Sequence, residues 1–352
     1  MKKTAIVLCL ILGVFFAFTF CGCGESSVID FTCFNTQVYI TVNGEKITAE
    51  TESEIKNKFS SLENSLSVTK SGEIASINSA AANLPVKLGD DAFSVFNLSK
   101  SLYDFTNGYF NPAVLPISRL WKLSSDTYDR KTVITVPPAA EEIAALIPLA
   151  DFNLFDVDGK TVYKTVDDAK IDLGGIAKGY AVDAAKDILL SSGVKEGYIN
   201  VGGSSLYVFS VKENLGVKHP RKNGKQIITV DNSLICGSPL STSGDYVRYY
   251  TGTDGTRYSH VINGFTGRPA NTGLSSVTVI AGKDAPESLR SAAATDALST
   301  AIMLMEKQQA INFIKEKLVG FYVFIVNTDE KEIISNTQLF TLLDEDYSRT
   351  VI

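Results

Sequence analysis

Residues 171–183 read IDLGGIAKGYAVD, an apolar extended run that ends on an acid and two glycines and passes directly into a helical pattern. Ile176, Tyr180, Ala184 and Ile188 recur at four-residue spacing, the signature of one helix face. Glycines at such a junction let backbone groups come close to a phosphate at the helix N-terminus. The same pattern also serves as a plain turn before a helix, and it lacks the G-x-G-x-x-G of a Rossmann unit. Alone, the junction names no ligand.

The chain has 352 residues and 45% apolar content, enough for one large or two smaller cores. No Pro/Gly/Ser-rich linker, charge run or short repeat divides it, so a single catalytic unit over 31–352 is expected. Net charge is −6 with acids and bases interspersed, which excludes a basic nucleic-acid footprint. An anionic ligand must then be held by local devices such as helix N-termini, a metal or single cations. The N-terminus MKKTAIVLCLILGVFFAFTFCGCG has the layout of a secretory signal peptide, here 1–22. Its apolar run also approaches the length of a membrane anchor. Gly22-Cys23 favours lipoprotein processing with Cys23 acylated and Cys21 as the alternative acceptor, residues 23–30 forming a short tether. Either route places the body outside the cytoplasm. Cys33 and Cys236 are then too few for a disulfide framework, whether or not they pair.

Thr36–Val42 alternates as a strand with Val38, Ile40 and Val42 on one face, and Asn43-Gly44 after it is a hairpin signal. Ile55, Phe59, Leu62 and Leu66 predict a helix over 50–66, and Ala92, Val95, Phe96, Leu98 and Leu102 another over 90–105. A shorter helix is expected at 139–148, and one long or two consecutive helices over 284–317. Strands are expected at 160–165, 170–173, 197–201, 205–211, 226–230, 274–281 and 321–327. Helices mixed with short strands and several hairpins predict an α+β fold with mixed or largely antiparallel sheets.

Asp296 and Thr300 lie four apart on the helix expected there, so their oxygens share a face. A carboxylate plus a hydroxyl suits a hard cation such as Mg²⁺, and equally suits a solvated helix face. His260 is one of two histidines; its near-neutral titration fits a proton acceptor, although an isolated histidine often only holds structure. His219, in the polar stretch GVKHPRK, is expected at the surface.

Taken in chain order, NGYFNPAVLPISRLW (107–121), the glycine junction, YINVGGS (198–204), STSGDYVRYY (241–250), YSHVINGFTGRP (258–269) and SAAATDALSTAIMLM (291–305) resemble the ApbE family, the FAD:protein FMN transferases. The resemblance runs from Phe31 to Met305, and the family fold it implies is also α+β. It implies that Asp296 and Thr300, in the segment matching A-D-A-L-A-T-A, bind Mg²⁺ together with a backbone carbonyl of Gly175 or Ala177. His260 stands at the histidine of H-I-I-D-P-x-T-G-x-P and is implied to be the base, with Val261 and Ile262 beside it touching the flavin nucleotide. The same role is implied for Asp172 and Lys178 at the junction, and for Tyr109, Phe110 and Asn111, which match a segment ending F-D-P. Phe34 (at an M-G-T) and Thr69 and Asn78 (an S-x-x…N region) complete the implied contacts; Phe34 and Phe110 suit an apolar core equally well. Asn111 replaces an aspartate, Thr295 an alanine, Asn263 an aspartate and Gly264 a proline, the last two loosening that loop.

The resemblance implies a Mg²⁺-dependent enzyme that moves FMN from FAD to a threonine, or less often serine, hydroxyl of an acceptor protein and releases AMP. By family, acceptors are flavin-bearing subunits of respiratory electron-transfer complexes. Two other readings stand beside it: a FAD pyrophosphatase giving FMN and AMP, and a non-catalytic flavin-binding lipoprotein. Storage needs neither base nor metal, so His260, Asp296 and Thr300 together speak against the second.

Overall fold

The computed structural model describes residues 26–129, 136–253 and 255–352. The signal peptide expected at 1–22 and the acylation site at Cys23 lie outside the described residues. A nine-stranded sheet organises the rest. Its strands are β1 (Ser26–Cys33), β2 (Thr36–Asn43), β3 (Gly197–Val201), β4 (Ser205–Ser210), β5 (Ser238–Gly244), β6 (Leu274–Ala281), β7 (Phe321–Asn327), β8 (Glu332–Ser335) and β9 (Ser348–Val351). They lie side by side in chain order, and every neighbour is antiparallel except β8 and β9. The expected α+β class with a mixed, largely antiparallel sheet is what the chain adopts.

All eight residues of β6 are buried, which requires cover on both faces. The side chains alternate between two cores. Val277 and Val279 join the larger one, with α1 (Ala49–Leu66), α2 (Asp90–Phe105), α3 (Ala177–Ser191) and α4 (Ala292–Met303). Ile280 faces a second core shared with the strands Leu215–Lys218, Gln226–Val230 and Phe340–Leu342. The four apolar positions read on α1 are all buried, and Thr48 caps that helix by accepting from the Thr51 N–H at 3.1 Å. Residues 284–317 form two helices, α4 and α5 (Lys307–Lys317).

Three local expectations are corrected. Residues 26–30, expected as a tether, belong to β1 and pair along their length with β2. The hairpin turn is Phe34-Asn35, where φ is 53° and 54°, and not Asn43-Gly44, which leaves the sheet toward α1. Two consecutive positive φ values make the tight two-residue turn that suits strand twist. Residues 170–173 are extended but not a strand: Ile171 donates to Asn78 Oδ1 at 2.7 Å and its carbonyl accepts from Asn78 Nδ2 at 2.8 Å. One buried amide side chain satisfies both backbone groups that a neighbouring strand would otherwise satisfy. Cys33 and Cys236 are both free thiols, Cys33 buried.

Candidate active site

The end of the sheet at the β3–β4 turn, the start of α3, one face of α4, residues 109–128, and the hairpin of Tyr249–Thr251 with Arg257–Ser259 together with His260–Ile262 help enclose a cleft of about 1530 Å³. Small-molecule pockets run to about 300–1,000 Å³, so this one exceeds the usual size. Six lysines and arginines line it against three carboxylates, a local positive excess in a chain of net charge −6. Such a cleft attracts an anion that the whole molecule repels.

The first wall is built by α3 and α4. They cross so closely at Gly179 that a Cβ there would overlap the Ala292 carbonyl, which is why glycine follows Lys178. Asp183 on α3 fixes the crossing by accepting from the Ala292 and Ala293 N–H groups, both at 2.9 Å; these are free donors at the N-terminus of α4. Held in this way, α4 points Asp296 and Thr300 into the cleft. Asp296 is buried; its Oδ2 accepts from the Gly179 N–H at 3.2 Å and from Lys178 Nζ at 3.3 Å. Burial is the largest influence on this carboxyl and pushes its pKa up, opposed by Lys178 and the Gly179 N–H. A Cβ added at Gly175 would lie 3.9 Å from Thr300 Oγ1 and 3.3 Å from the Phe110 ring, so the junction backbone faces the hydroxyl directly. Thr300 Oγ1 is also 3.0 Å from Ser243 Oγ on β5. The Asp296 carboxylate and the Thr300 hydroxyl, beside the Gly175 backbone, offer oxygen donors, the chemistry that a hard divalent cation takes while keeping positions for water or phosphate. These oxygen donors fit Mg²⁺.

The second wall carries His260. The His260 backbone N–H and its Nδ1 both meet the Arg248 carbonyl, at 3.1 and 3.0 Å. A carbonyl can only accept, so Nδ1 carries the proton and Nε2 is the basic nitrogen. His260 lines the cleft, as do Val261 and Ile262. Burial lowers its pKa to about 4, with the Arg248 guanidinium and the Lys178 ammonium adding to that effect. The imidazole is neutral near pH 7 and ready to accept a proton. Half-buried Asp172 stands at the end of the junction, its Oδ1 accepting from the Gly174 N–H at 2.8 Å; desolvation holds its pKa up.

The sequence matches the ApbE family over residues 34–325, which includes both walls. The chain belongs to the ApbE family. A FAD:protein FMN transferase of Vibrio cholerae serotype O1 is 27% identical over 277 residues, covering 76% of this chain and 77% of that protein. One of Treponema pallidum is 22% identical over 342 residues, covering 89% and 88%. Among solved structures, the ApbE protein of Thermotoga maritima superposes with a TM-score of 0.74 at 28% identity, covering 86% of this chain and 94% of the other. The Vibrio cholerae flavin transferase ApbE gives 0.73 at 22% identity, a likeness of fold.

Most residues singled out from the ApbE pattern meet in the one cleft: Phe34, Thr69, Tyr109, Phe110, Asn111, Asp172, Gly175, Lys178, His260, Val261, Ile262, Asp296 and Thr300 all line it. Phe34 does so while its ring also reaches the core Phe59 ring, 6.3 Å between centroids, and Phe110 is both buried and at the cleft wall. Asn78 does not reach the cleft. It positions Ile171, one residue before Asp172, through the two hydrogen bonds described above. His219, expected at the surface, is buried. Arg248, Ser243 and Asp183 stand in segments singled out from sequence but carried no assigned role there.

Departures from the ApbE pattern explain one another. A Cβ at Gly264 would lie 2.7 Å from Asn111 Nδ2, so the amide that replaces the family's aspartate occupies the space of the family's proline ring. Asn111 spends both ends internally, accepting from the Ala113 N–H and donating to the Ala150 carbonyl, each at 2.8 Å. The 263–267 loop is not loosened. Asn263 Oδ1 accepts from Phe265 and Thr266 N–H at 2.9 and 3.1 Å, and Trp121 Nε1 donates to the Gly267 carbonyl at 2.8 Å. Thr295, where alanine is usual, ties α4 to β5 through Ser241 Oγ at 3.1 Å.

Proposed function

We propose that this protein is a FAD:protein FMN transferase that uses Mg²⁺ and attaches FMN to a threonine or serine hydroxyl of an acceptor protein, releasing AMP. The observation that carries the reading is the pairing, across one cleft, of a neutral histidine with a free Nε2 and a buried carboxylate–hydroxyl set. The names of its relatives support the same chemistry. Asp296, Thr300 and the Gly175 carbonyl would hold the Mg²⁺, which offsets phosphate charge as the diphosphate bond breaks. His260 Nε2 takes the proton of the acceptor hydroxyl as its oxygen attacks the phosphorus next to riboflavin. The bond between that phosphorus and the bridging oxygen breaks, the oxygen leaves on AMP, and a phosphoester remains on the acceptor. Lys178, paired with Asp296 at the start of α3, would turn to the diphosphate once Asp296 holds the cation.

The acceptor class that fits is a flavin-bearing subunit of a respiratory electron-transfer complex with an accessible threonine. The site of action is outside the cytoplasm, at a membrane held through lipid on Cys23, a reading supported by the charged, apolar and small-residue order of the N-terminus. Replacing Cys23 by serine should abolish acylation and release the protein from membranes; a Cys23→Ser protein that is still lipidated contradicts the anchor. The activity test incubates the protein with FAD, Mg²⁺ and a candidate acceptor and follows acceptor mass and AMP. FMN-bearing acceptor and AMP in equal amounts are expected. Free FMN and AMP with an unmodified acceptor identify a FAD pyrophosphatase instead, and no turnover identifies a binding protein.

A further inference from the structure

The cations of the cleft are mostly spent. Lys70 pairs with Glu63, Lys178 with Asp296 and Arg221 with Asp245; Lys218 lies over the Tyr246 ring and Arg257 over the Tyr249 ring, 5.8 and 4.1 Å from the centroids, with Arg257 Nη1 3.8 Å from Asp245. Arg248 has none of these: among the described residues its guanidinium makes no hydrogen bond, ion pair or ring contact, although it lines the cleft half-buried. Its position is fixed by its own backbone, whose carbonyl accepts both from the His260 N–H and from Nδ1. The guanidinium is close enough to His260 and Asp172 to act on both electrostatically. A half-buried cation without a partner, beside a base that must stay neutral, is unfavourable in the empty cleft and becomes favourable when an anion enters.

We infer that the Arg248 guanidinium binds the diphosphate of the dinucleotide substrate from the side of the cleft that carries His260, through paired N–H donors to phosphate oxygens. The planar fork of arginine matches that geometry as a lysine ammonium does not. Backbone and side chain of one residue then serve the two reacting groups: the carbonyl sets the His260 tautomer, and the guanidinium holds the phosphorus that the activated hydroxyl attacks. Bound phosphate charge also offsets the guanidinium, so the imidazole accepts its proton more readily once substrate is in place. The assignment rests on FAD being the ligand, as proposed above.

The test measures affinity for FAD and for riboflavin, which lacks the phosphates, by quenching of flavin fluorescence in wild type, Arg248→Met and Arg248→Lys. Arg248→Met should weaken FAD binding by about 10- to 100-fold and leave riboflavin binding within about twofold; Arg248→Lys should fall between. Because only the side chain changes, the carbonyl still orients His260, and loss of the cation should move the acid limb of transfer upward in pH. Equal weakening of FAD and riboflavin, or unchanged FAD affinity in a folded Arg248→Met, overturns the assignment. If that variant does not fold, Arg248→Lys decides by the same ratio. A wild type that binds FAD but modifies no acceptor contradicts the transfer reading alone, whereas one that binds no FAD overturns both.

Discussion

The turn that carries His219 and the hairpin that carries His260 both face the cleft, yet they use the same side chain in opposite ways. His219 has no nitrogen to spare. Its Nδ1 accepts from the Arg221 and Lys222 N–H groups at 3.0 and 3.2 Å, and Nε2 meets Asp344 Oδ2 at 2.9 Å. Protonation would place a hydrogen against two donors, and burial lowers the pKa further. His260 spends only Nδ1, on a carbonyl, and keeps Nε2 for the cleft. In the function proposed above, the histidine with both nitrogens engaged holds the fold and the one with Nε2 unspent serves as the base. Rarity and polar surroundings in the sequence do not separate the two.

Four experiments sharpen or break that contrast. Removing the anion of the proposed metal site should have the largest effect. Asp296→Ala should lower transfer by on the order of 100-fold or more, as befits loss of a metal worth several kcal/mol. FAD binding through ring contacts should partly survive, and titration of Mg²⁺ should lose its effect; an unchanged Mg²⁺ dependence removes α4 from the site. Next, Gly179→Ala forces α3 away from the Ala292 backbone and should cost about 1–3 kcal/mol in denaturant melts, with transfer falling as Asp296 and Gly175 separate. Full stability and activity would mean that the close crossing is incidental.

On the structural side of the contrast, His219→Ala leaves two N–H groups and Asp344 short of a partner. It should destabilise the fold by about 1–3 kcal/mol while transfer per folded molecule drops less than about tenfold. A loss of transfer with undisturbed stability would place His219 in the chemistry. The smallest effect expected is one of pH. Only neutral imidazole accepts a proton, and the His260 pKa is lowered from 6.5 to about 4, so transfer should stay within about twofold between pH ~6 and ~8. Stability follows the same sign. A folded pKa below the unfolded one means that stability is fully present above pH 6.5 and declines as pH falls toward 4. A rate limb centred near 6.5, where an unperturbed histidine titrates, would show that the cleft does not shift His260.

Much of this was legible in the sequence because it was periodic or local. The helices of α1 and α2 were read from apolar spacing, and the residues of the glycine junction and of α4 from a contiguous motif. What escaped reading was held by partners distant in sequence. Residues 170–173 look like a strand because alternation reports an extended backbone; nothing local shows that Asn78, 93 positions away, takes the place of a neighbouring strand. The Phe34-Asn35 turn is hidden because φ > 0 is marked by glycine in most turns, and here Asn43-Gly44 offers the familiar signal nine residues too late for the hairpin. Asn111 and Gly264 each read as a departure from the ApbE pattern, and only contact in space shows that the two changes fit each other.

The measurement that tests the account most directly is single-turnover FMN transfer by His260→Ala at saturating FAD and Mg²⁺, with and without added imidazole. Loss of a positioned base predicts a fall of about 10²- to 10⁴-fold with FAD affinity changed only a few fold, and partial recovery when imidazole occupies the space left beside the Arg248 carbonyl. Transfer at a rate near that of wild type would contradict the account, since Nε2 of His260 would then have no proton to accept.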